Sequence, residues 1–493
     1  MARVEGSYRW LDEARTRVRL PHGMVARVES FDDERIWIRV YESRRIDPPP
    51  RQAPGPGDDS GQSPEPLEFL RAGRETDRVR LVPADAGLPQ SGLWREGVAI
   101  ADFDGDGLLD LALPPPRKAV RPQPSIHRQR PAGGWEPWPA ARFPPIRYDY
   151  GDVAAADLDG DGALDLALGM HVLGVRMLLG DGSGAFRLAA FPPGAAVASK
   201  ALLVTDWDGD TAPDLVTLGE GMALPDPTAG PPAPRTSTAA LRRGVHVWLR
   251  DAEAPGGWRR LPFAEGAEPR HEFGGGLVAL DYDGDGHTDL AFASHRPSGR
   301  GILVRGGGAP RGERLDVLPR RAFTSAVAAA DFDRDGRDEL LVGLRVRDPR
   351  EPEQTLTALD LYAFTPAAPG GEGSWRRRSL DSRPGQSGIW SIATADFDGD
   401  GALDIAFGTG DGEIALLLAD AEGGFVAEAS TELTDSSPGC TVRDLRVAFL
   451  RPGELHLVAL LSGERGQGPT GTASGCASGG RVAVWRIEPA ARQ

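Results

Sequence analysis

ADFDGDGLLDLAL from Ala101, ADLDGDGALDLAL from Ala156, TDWDGDTAPDLVT from Thr205, LDYDGDGHTDLAF from Leu280, ADFDRDGRDELLV from Ala330 and ADFDGDGALDIAF from Ala395 are one pattern written six times. Their first aspartates, Asp102, Asp157, Asp206, Asp281, Asp331 and Asp396, lie 55, 49, 75, 50 and 65 residues apart. Repeats of this length, each too small to bury a hydrophobic face alone, must stack on their neighbours. A short apolar run precedes each acidic stretch and another follows it, as in GVAIA and LDLAL around the first copy, so two strands flank each loop. Further on, VRMLLGDGSGAF from Val175, HVWLRDAEAPGGW from His246 and IALLLADAEGGF from Ile414 each take a β-rich run through a Gly/Asp turn to an aromatic residue, the mark of a third and fourth strand. Four strands per repeat predict an all-β, seven-bladed β-propeller, with the acidic loops between the first two strands of six blades. Alanines crowd the first strand of most units, where strands converge on the axis.

The units resemble FG-GAP or VCBS repeats, the calcium-binding blades of integrin α-subunit heads and of many bacterial secreted and surface proteins. The resemblance covers about residues 85 to 490 and rests on the nine-residue loop being repeated. A single DxDxDG would be shared with EF-hand and dockerin loops. A seventh unit has lost its acids but keeps the strand spacing, in LRVAFLRPGELHLVALLSG from Leu445 and GGRVAVWRI from Gly479. It is expected at about 440–490 as a metal-free blade, closed by an N-terminal strand drawn from Arg78 to Leu88. The propeller then occupies 75–490. Residues 1–46 alternate well enough for two or three strands, and 47–67, rich in Pro, Gly and polar residues, read as a linker. Pro/Gly insertions from Pro225 and Pro469 read as rim loops.

Calcium takes six to eight hard oxygen ligands, which alternate residues of a tight loop can supply. The expected ligands are carboxylates at loop positions 1, 3, 5 and 9 with the backbone carbonyl at 7. They are Asp102, Asp104, Asp106 and Asp110 in the first loop, Asp157, Asp159, Asp161 and Asp165 in the second, and Asp206, Asp208, Asp210 and Asp214 in the third. The fourth has Asp281, Asp283, Asp285 and Asp289, the fifth Asp331, Asp333, Asp335 and Glu339, and the sixth Asp396, Asp398, Asp400 and Asp404. Position 7 (Leu108, Ala163, Ala212, His287, Arg337, Ala402) shares no side-chain chemistry, as a carbonyl ligand requires. Position 2 (Phe103, Leu158, Trp207, Tyr282, Phe332, Phe397) is always apolar or aromatic, an anchor for the core. Position 6 is glycine in five copies, where a positive φ costs least. Thr211 takes its place in the third loop, which also holds Pro213. The competing reading is six ordinary solvated turns, in which four converging carboxylates would repel one another. Magnesium fits less well because it demands octahedral geometry and retained water. Up to six Ca2+ ions are expected, and they would bring the formal charge of −16 to about −4. Six similar contiguous loops read as structural clips rather than catalytic centres.

That charge sets the chain against nucleic acid and anionic membranes as partners, and no apolar run is long enough for an integral membrane helix. Of the basic residues only Lys118 and Lys200 are lysines. Cys440 and Cys476, both in the last unit, are a candidate disulfide, the alternative being two free thiols. The eight histidines form no paired-ligand spacing, and there is no GxSxG elbow, Walker loop or GxGxxG after a strand. Tryptophans such as Trp135, Trp138, Trp248, Trp258, Trp375 and Trp390 read as blade core or hairpin anchors before sugar platforms. The expectation is a non-enzymatic, calcium-stabilised interaction module that binds a protein or glycan through rim loops. The alternatives are a lyase- or hydrolase-type propeller with acids or histidines at the channel mouth, and a purely structural surface component. Loops of this kind suit millimolar calcium, hence an extracellular, periplasmic or cell-surface location. MARVEGSYRWLDEARTRVRL at the N-terminus shows no secretory h-region and so does not support that location.

Overall fold

A computed structural model describes residues 17–19, 24–31 and 36–42, and the stretch 78–490 apart from 190–196, 200, 223–243, 265–273, 295–302, 314, 316, 320–321, 348–354, 367–372, 386, 421–422, 429–438, 464–475 and 477–478. The proposed linker at 47–67 and most of the insertions from Pro225 and Pro469 lie outside the described residues. The chain divides into two compact units, Met1–Ser63 and Pro64–Gln493. In the first, Arg17–Arg19, Met24–Phe31 and Ile36–Glu42 form one antiparallel sheet in chain order.

The second unit is a ring of seven four-stranded antiparallel sheets. Blades 1 to 6 are meanders beginning at the strands Ala99–Ala101, Gly151–Ala156, Leu202–Thr205, Leu277–Leu280, Phe323–Ala330 and Ile389–Ala395. Blade 7 takes Thr441–Arg451, Glu454–Ser462 and Gly480–Pro489 from the C-terminal part of the chain and its outermost strand, Val79–Pro83, from before blade 1. Leu81 lies opposite Ile487 and Trp485 opposite Pro83 in this closing pair. The pairing joins the ends of the ring and covers the outer edge of Gly480–Pro489. The all-β seven-bladed propeller expected from the repeat is therefore the observed fold.

The reason blades stack is visible in where the apolar side chains go. Seven buried clusters fill the seven blade interfaces: Leu166 and Leu168 with Ala112 and Ile126 between blades 1 and 2, for instance, and Val458 and Val484 with Leu111 and Trp135 between blades 7 and 1. A blade is only four strands wide, so each of its faces is covered solely by its neighbours. The position-2 residues join this packing. Phe103, Leu158, Trp207, Tyr282 and Phe397 are buried, each in the interface with the following blade, and Phe332 is partly buried there. Every acidic loop is thus pinned to an interface by the residue after its first aspartate.

Candidate metal centres in the acidic loops

The six loops share one internal hydrogen-bond pattern. In the first, Asp102 Oδ1 accepts the N–H groups of Gly105 (2.8 Å) and Asp106 (3.1 Å), and its Oδ2 accepts that of Gly107 (2.9 Å). The position-5 carboxylate turns the other way, Asp106 Oδ1 accepting Leu108 N–H at 2.8 Å. Asp157, Asp206, Asp281 and Asp396 repeat the first-position bonds, and Asp331 makes two of the three.

For these N–H groups to converge, the backbone must turn left-handed twice. Position 6 does so in every copy, with φ between 71° at Thr211 and 90° at Gly162 and Gly401. Position 4 does so too: Gly105, Gly160, Gly209, Gly284 and Gly399 have φ of 73–80°, and Arg334 has 61°. The need at position 4 escaped the sequence reading although glycine stands there in five copies. Thr211 and Arg334 are the two residues that bear the cost of a Cβ in this region.

The position-9 carboxylates differ from the rest because they are buried. Asp110, Asp165, Asp214, Asp289 and Asp404 are at most 1% exposed, and Glu339 is 5%. Each opens the second strand and ties its loop to the sheet. Asp404 Oδ2 accepts Phe397 N–H at 2.7 Å and Oδ1 accepts Ala419 N–H at 2.8 Å. Asp110, Asp165 and Asp214 bridge the same two places, from position 2 to the third strand. Burial, with the neighbouring acids adding to it, pushes Asp110, Asp289, Glu339 and Asp404 up to about 7 and Asp165 and Asp214 up to about 6. A buried acid facing other acids holds its charge readily only beside a cation.

The oxygens are gathered as a shared ion needs. Ligand atoms of Asp102, Asp104 and Asp110 lie within 4.8 Å of one another, as do those of Asp157, Asp159 and Asp165, of Asp206, Asp208 and Asp210, of Asp281, Asp283 and Asp285, and of Asp331, Asp333 and Glu339. The donors are all hard oxygens, the class calcium takes. Asp159 Oδ1 and Asp289 Oδ2 are buried oxygens with no hydrogen-bond donor, an environment that suits a cation ligand. On this chemistry the residues fit calcium. The third loop is built like its siblings, with Asp206 and Asp214 fully engaged, despite Thr211 and Pro213.

Two features had no signal in the repeat. Arginines from elsewhere in the sheets stand on the position-3 acids: Arg128 on Asp104 (3.2 Å), Arg187 on Asp159 (3.2 Å), Arg305 on Asp283 (2.5 Å) and Arg78, beside the closing strand, on Asp398 (2.6 Å). The loops are also chained round the ring. Thr288 Oγ1 donates to Asp206 O at 3.0 Å, Asp338 Oδ2 accepts Asp281 N–H at 2.9 Å, and Arg334 donates to Gly401 O.

The structure joins Cys440 and Cys476 in a disulfide at the start of blade 7. Trp135, Trp138, Trp248 and Trp258 are buried in blade interfaces, and Trp375 and Trp390 are partly buried. His127, His246 and His456 are buried, and desolvation lowers the pKa of each. His171 pairs with Glu220 at 2.6 Å.

Residues 281–342, from the first aspartate of the fourth loop to the second strand of blade 5, match the family model of the FG-GAP-like repeat. The match and the seven blades together support an FG-GAP repeat β-propeller. No curated protein matches the chain. Among solved structures, one similar chain comes from the crystal structure of BBS1N in complex with ARL6DN, soaked with lead. It is 14% identical, over 84% of this chain and 98% of that one, with a TM-score of 0.44. Among the described residues no helix is long and apolar enough to cross a membrane.

Proposed function

We propose that this propeller is a calcium-stabilised, non-enzymatic interaction module of an extracellular or envelope compartment, presenting rim loops to a protein or glycan. The observation that carries the reading is the set of position-9 carboxylates, buried in six blades and facing further acids of the same loops. Calcium would be held by the position 1, 3, 5 and 9 carboxylates, and when bound it supplies charge neutralisation and cross-linking within each loop. The chain's own part is to hold those oxygens in place: the N–H groups of positions 4 to 6 fix the first aspartate, and the sheet fixes the ninth. Sites of this kind depend on ambient calcium at millimolar level, which supports a location outside the cytoplasm.

The test has two arms. Thermal unfolding is recorded with calcium and with excess EGTA, and metal content is read by mass spectrometry under native conditions. At a hundredfold excess over the dissociation constant each occupied site adds about 2.7 kcal/mol, so the melting temperature should fall steeply on chelation. An unchanged melt defeats the calcium reading. Glycan-array binding and pull-down from the native organism, with and without calcium, then identify the ligand.

A further inference from the structure

The sheet register makes the seven first strands directly comparable. Their last paired residues, Ala101, Ala156, Thr205, Leu280, Ala330 and Ala395, all lie opposite the buried position-9 acid. Two residues earlier stand Ala99, Ala154, Leu203, Val278, Ala328 and Ala393. Blade 7 is placed on the same scale by its bulge. Arg443 is the extra residue there, as Ser325 is in blade 5 and Trp390 in blade 6. Three residues on from the bulge come Ala328, Ala393 and, in blade 7, Arg446. At a level of the ring where six blades carry alanine, leucine or valine, the seventh carries an arginine.

Six sibling blades do without that charge; in blade 7 it faces two buried acids, Asp444 and Asp152, and offsets part of their charge. Arg446 is held by one edge only. Its Nε donates to Asp444 Oδ2 at 3.1 Å, while Nη1 and Nη2 have no hydrogen-bond partner among the described residues. The first strands of successive blades pack against one another around it, yet 48% of its side chain remains accessible. A group so enclosed and still half open to water faces the axis of the ring.

The two carboxylates nearby are already spent on joining blades. Asp444 faces Ser391 Oγ of blade 6 at 3.4 Å. Asp152 accepts Val153 N–H at 2.9 Å and, across to blade 3, Leu202 N–H at 3.2 Å. Gly97 leaves Asp152 its room, because a Cβ there would fall 2.3 Å from Asp152 Oδ1. Burial pushes the Asp152 carboxyl up to about 7 and raises that of Asp444, while the nearby Arg446 guanidinium opposes both shifts. The open feature of the cluster is a planar, cationic, donor-only edge fixed in orientation by Asp444. Its complement is a planar acceptor pair.

We propose that the Nη edge of Arg446 is a receptor for a single ligand carboxylate that enters along the propeller axis. The proposal goes beyond the calcium-module reading, since none of the acidic-loop residues takes part. One guanidinium beside two acids suits a monoanion in preference to a phosphate dianion, and the alanine lining suits a slender group. A sugar acid and a peptide C-terminus both present this chemistry, and the experiment separates them.

Binding is measured by titration calorimetry on the full, calcium-saturated chain. The probes are glucuronate and N-acetyl-alanyl-alanine, with glucose and the amidated dipeptide as their carboxylate-free counterparts and inorganic phosphate as a dianion control. At least one carboxylate should bind about tenfold or more tightly than its counterpart, the margin a charge-assisted bidentate contact supplies. Arg446→Lys keeps the charge beside Asp444 but removes the fork. It should lose that margin while its melting temperature stays near that of the unaltered chain. Equal binding of a carboxylate and its counterpart, absence of binding by both, or binding undiminished in Arg446→Lys overturns the proposal. The counterpart comparison needs no variant, so a misfolded variant does not shelter the idea. Failure here leaves the chelation result untouched, and failure of chelation to lower the melt leaves this result untouched.

Discussion

Replacing Asp404 by alanine separates the clip it forms for the sheet from its proposed role as a calcium ligand. Asp404 is wholly buried, and its two oxygens hold the N–H groups of Phe397 and Ala419 at 2.7 and 2.8 Å. Truncation strands both donors out of reach of water, at about 1–3 kcal/mol each, so about 2–6 kcal/mol is lost without any metal present. Asp398 in the same loop is the control. Its carboxylate meets Arg78 at 2.6 Å, and that arginine is 35% exposed. Asp398 is itself 5% exposed and also accepts Asp400 N–H at 3.1 Å, but both partners reach water, so Asp398→Ala should cost about 1–2 kcal/mol in EGTA, less than Asp404→Ala. In calcium both variants should lose, in addition, the linkage of one site, about 2.7 kcal/mol at a hundredfold excess over its dissociation constant. The assay is urea unfolding followed by tryptophan fluorescence, each variant with EGTA and with calcium. Equal losses for the two variants in EGTA would refute the clip. A calcium-independent difference between each variant and the parent would refute the ligand.

The raised pKa values give calcium-free stability a definite sign with pH. An acid raised in the folded state binds more protons there than when unfolded, so stability falls as pH rises from the ordinary carboxylate range toward 7. The six position-9 acids all act this way. The buried His127, His246 and His456 act oppositely below their usual range, but they are half as many. Melting in EGTA should therefore be lower at pH 8 than at pH 5.5, and the rise on adding calcium larger at pH 8; scans at both pH values decide it. The Cys440–Cys476 bridge spans 36 residues, a loop whose closure is worth about 3–4 kcal/mol in the chain-entropy account, so Cys440→Ser with Cys476→Ser should lower the denaturant midpoint without shifting the calcium dependence. Leu81 is 1% exposed in the interface of blades 6 and 7; Leu81→Ala should cost about 2–5 kcal/mol and, by loosening the closing strand, make the bonds near residue 78 sensitive to limited proteolysis.

The ring was legible because its signal is repeated. Each of six loops carries its position-2 anchor and its glycines, and the failed seventh unit betrays itself by strand spacing alone. The closing strand at Val79–Pro83 was legible for a topological reason: a ring with three strands in its last blade must borrow a fourth. What escaped depends on contacts with no sequence period. Arg78 reaches Asp398 across 320 residues, and the bond of Asp338 to Asp281 joins neighbouring loops through a residue absent from the consensus. The clip role of the ninth acid escaped for another reason. A pattern of carboxylates suggests ligands, whereas the two N–H groups that Asp404 accepts become visible only when the loop and the third strand are brought together.

Blade 7 shows what the acidic loops do for the others. Without an acidic loop it turns between its first two strands on Pro452 and Gly453 alone, with Arg451 paired to Glu454. Its first strand then runs to 11 residues, against three or four in blades 1, 3 and 4. A longer ladder and a disulfide supply locally what a loop tied at positions 2 and 9 supplies elsewhere. The exchange frees this strand from the alanine-rich composition that crowding imposes on its siblings, and the strand places Asp444 and Arg446 at levels filled in most other blades by glycine, alanine or other apolar residues. The blade that closes the ring is thus the one with room for chemistry at the axis. A graft tests that coupling: Ala393→Arg puts the same side chain at the equivalent level of blade 6, where a nine-residue loop follows the strand and no Asp444 counterpart awaits it, only Ser391. It should destabilise the chain, since no acid awaits it there, whereas Arg446→Lys, which keeps a cation beside buried Asp444, should cost far less. Similar losses for the two variants in urea unfolding would mean that blade 7 holds no special place for the arginine.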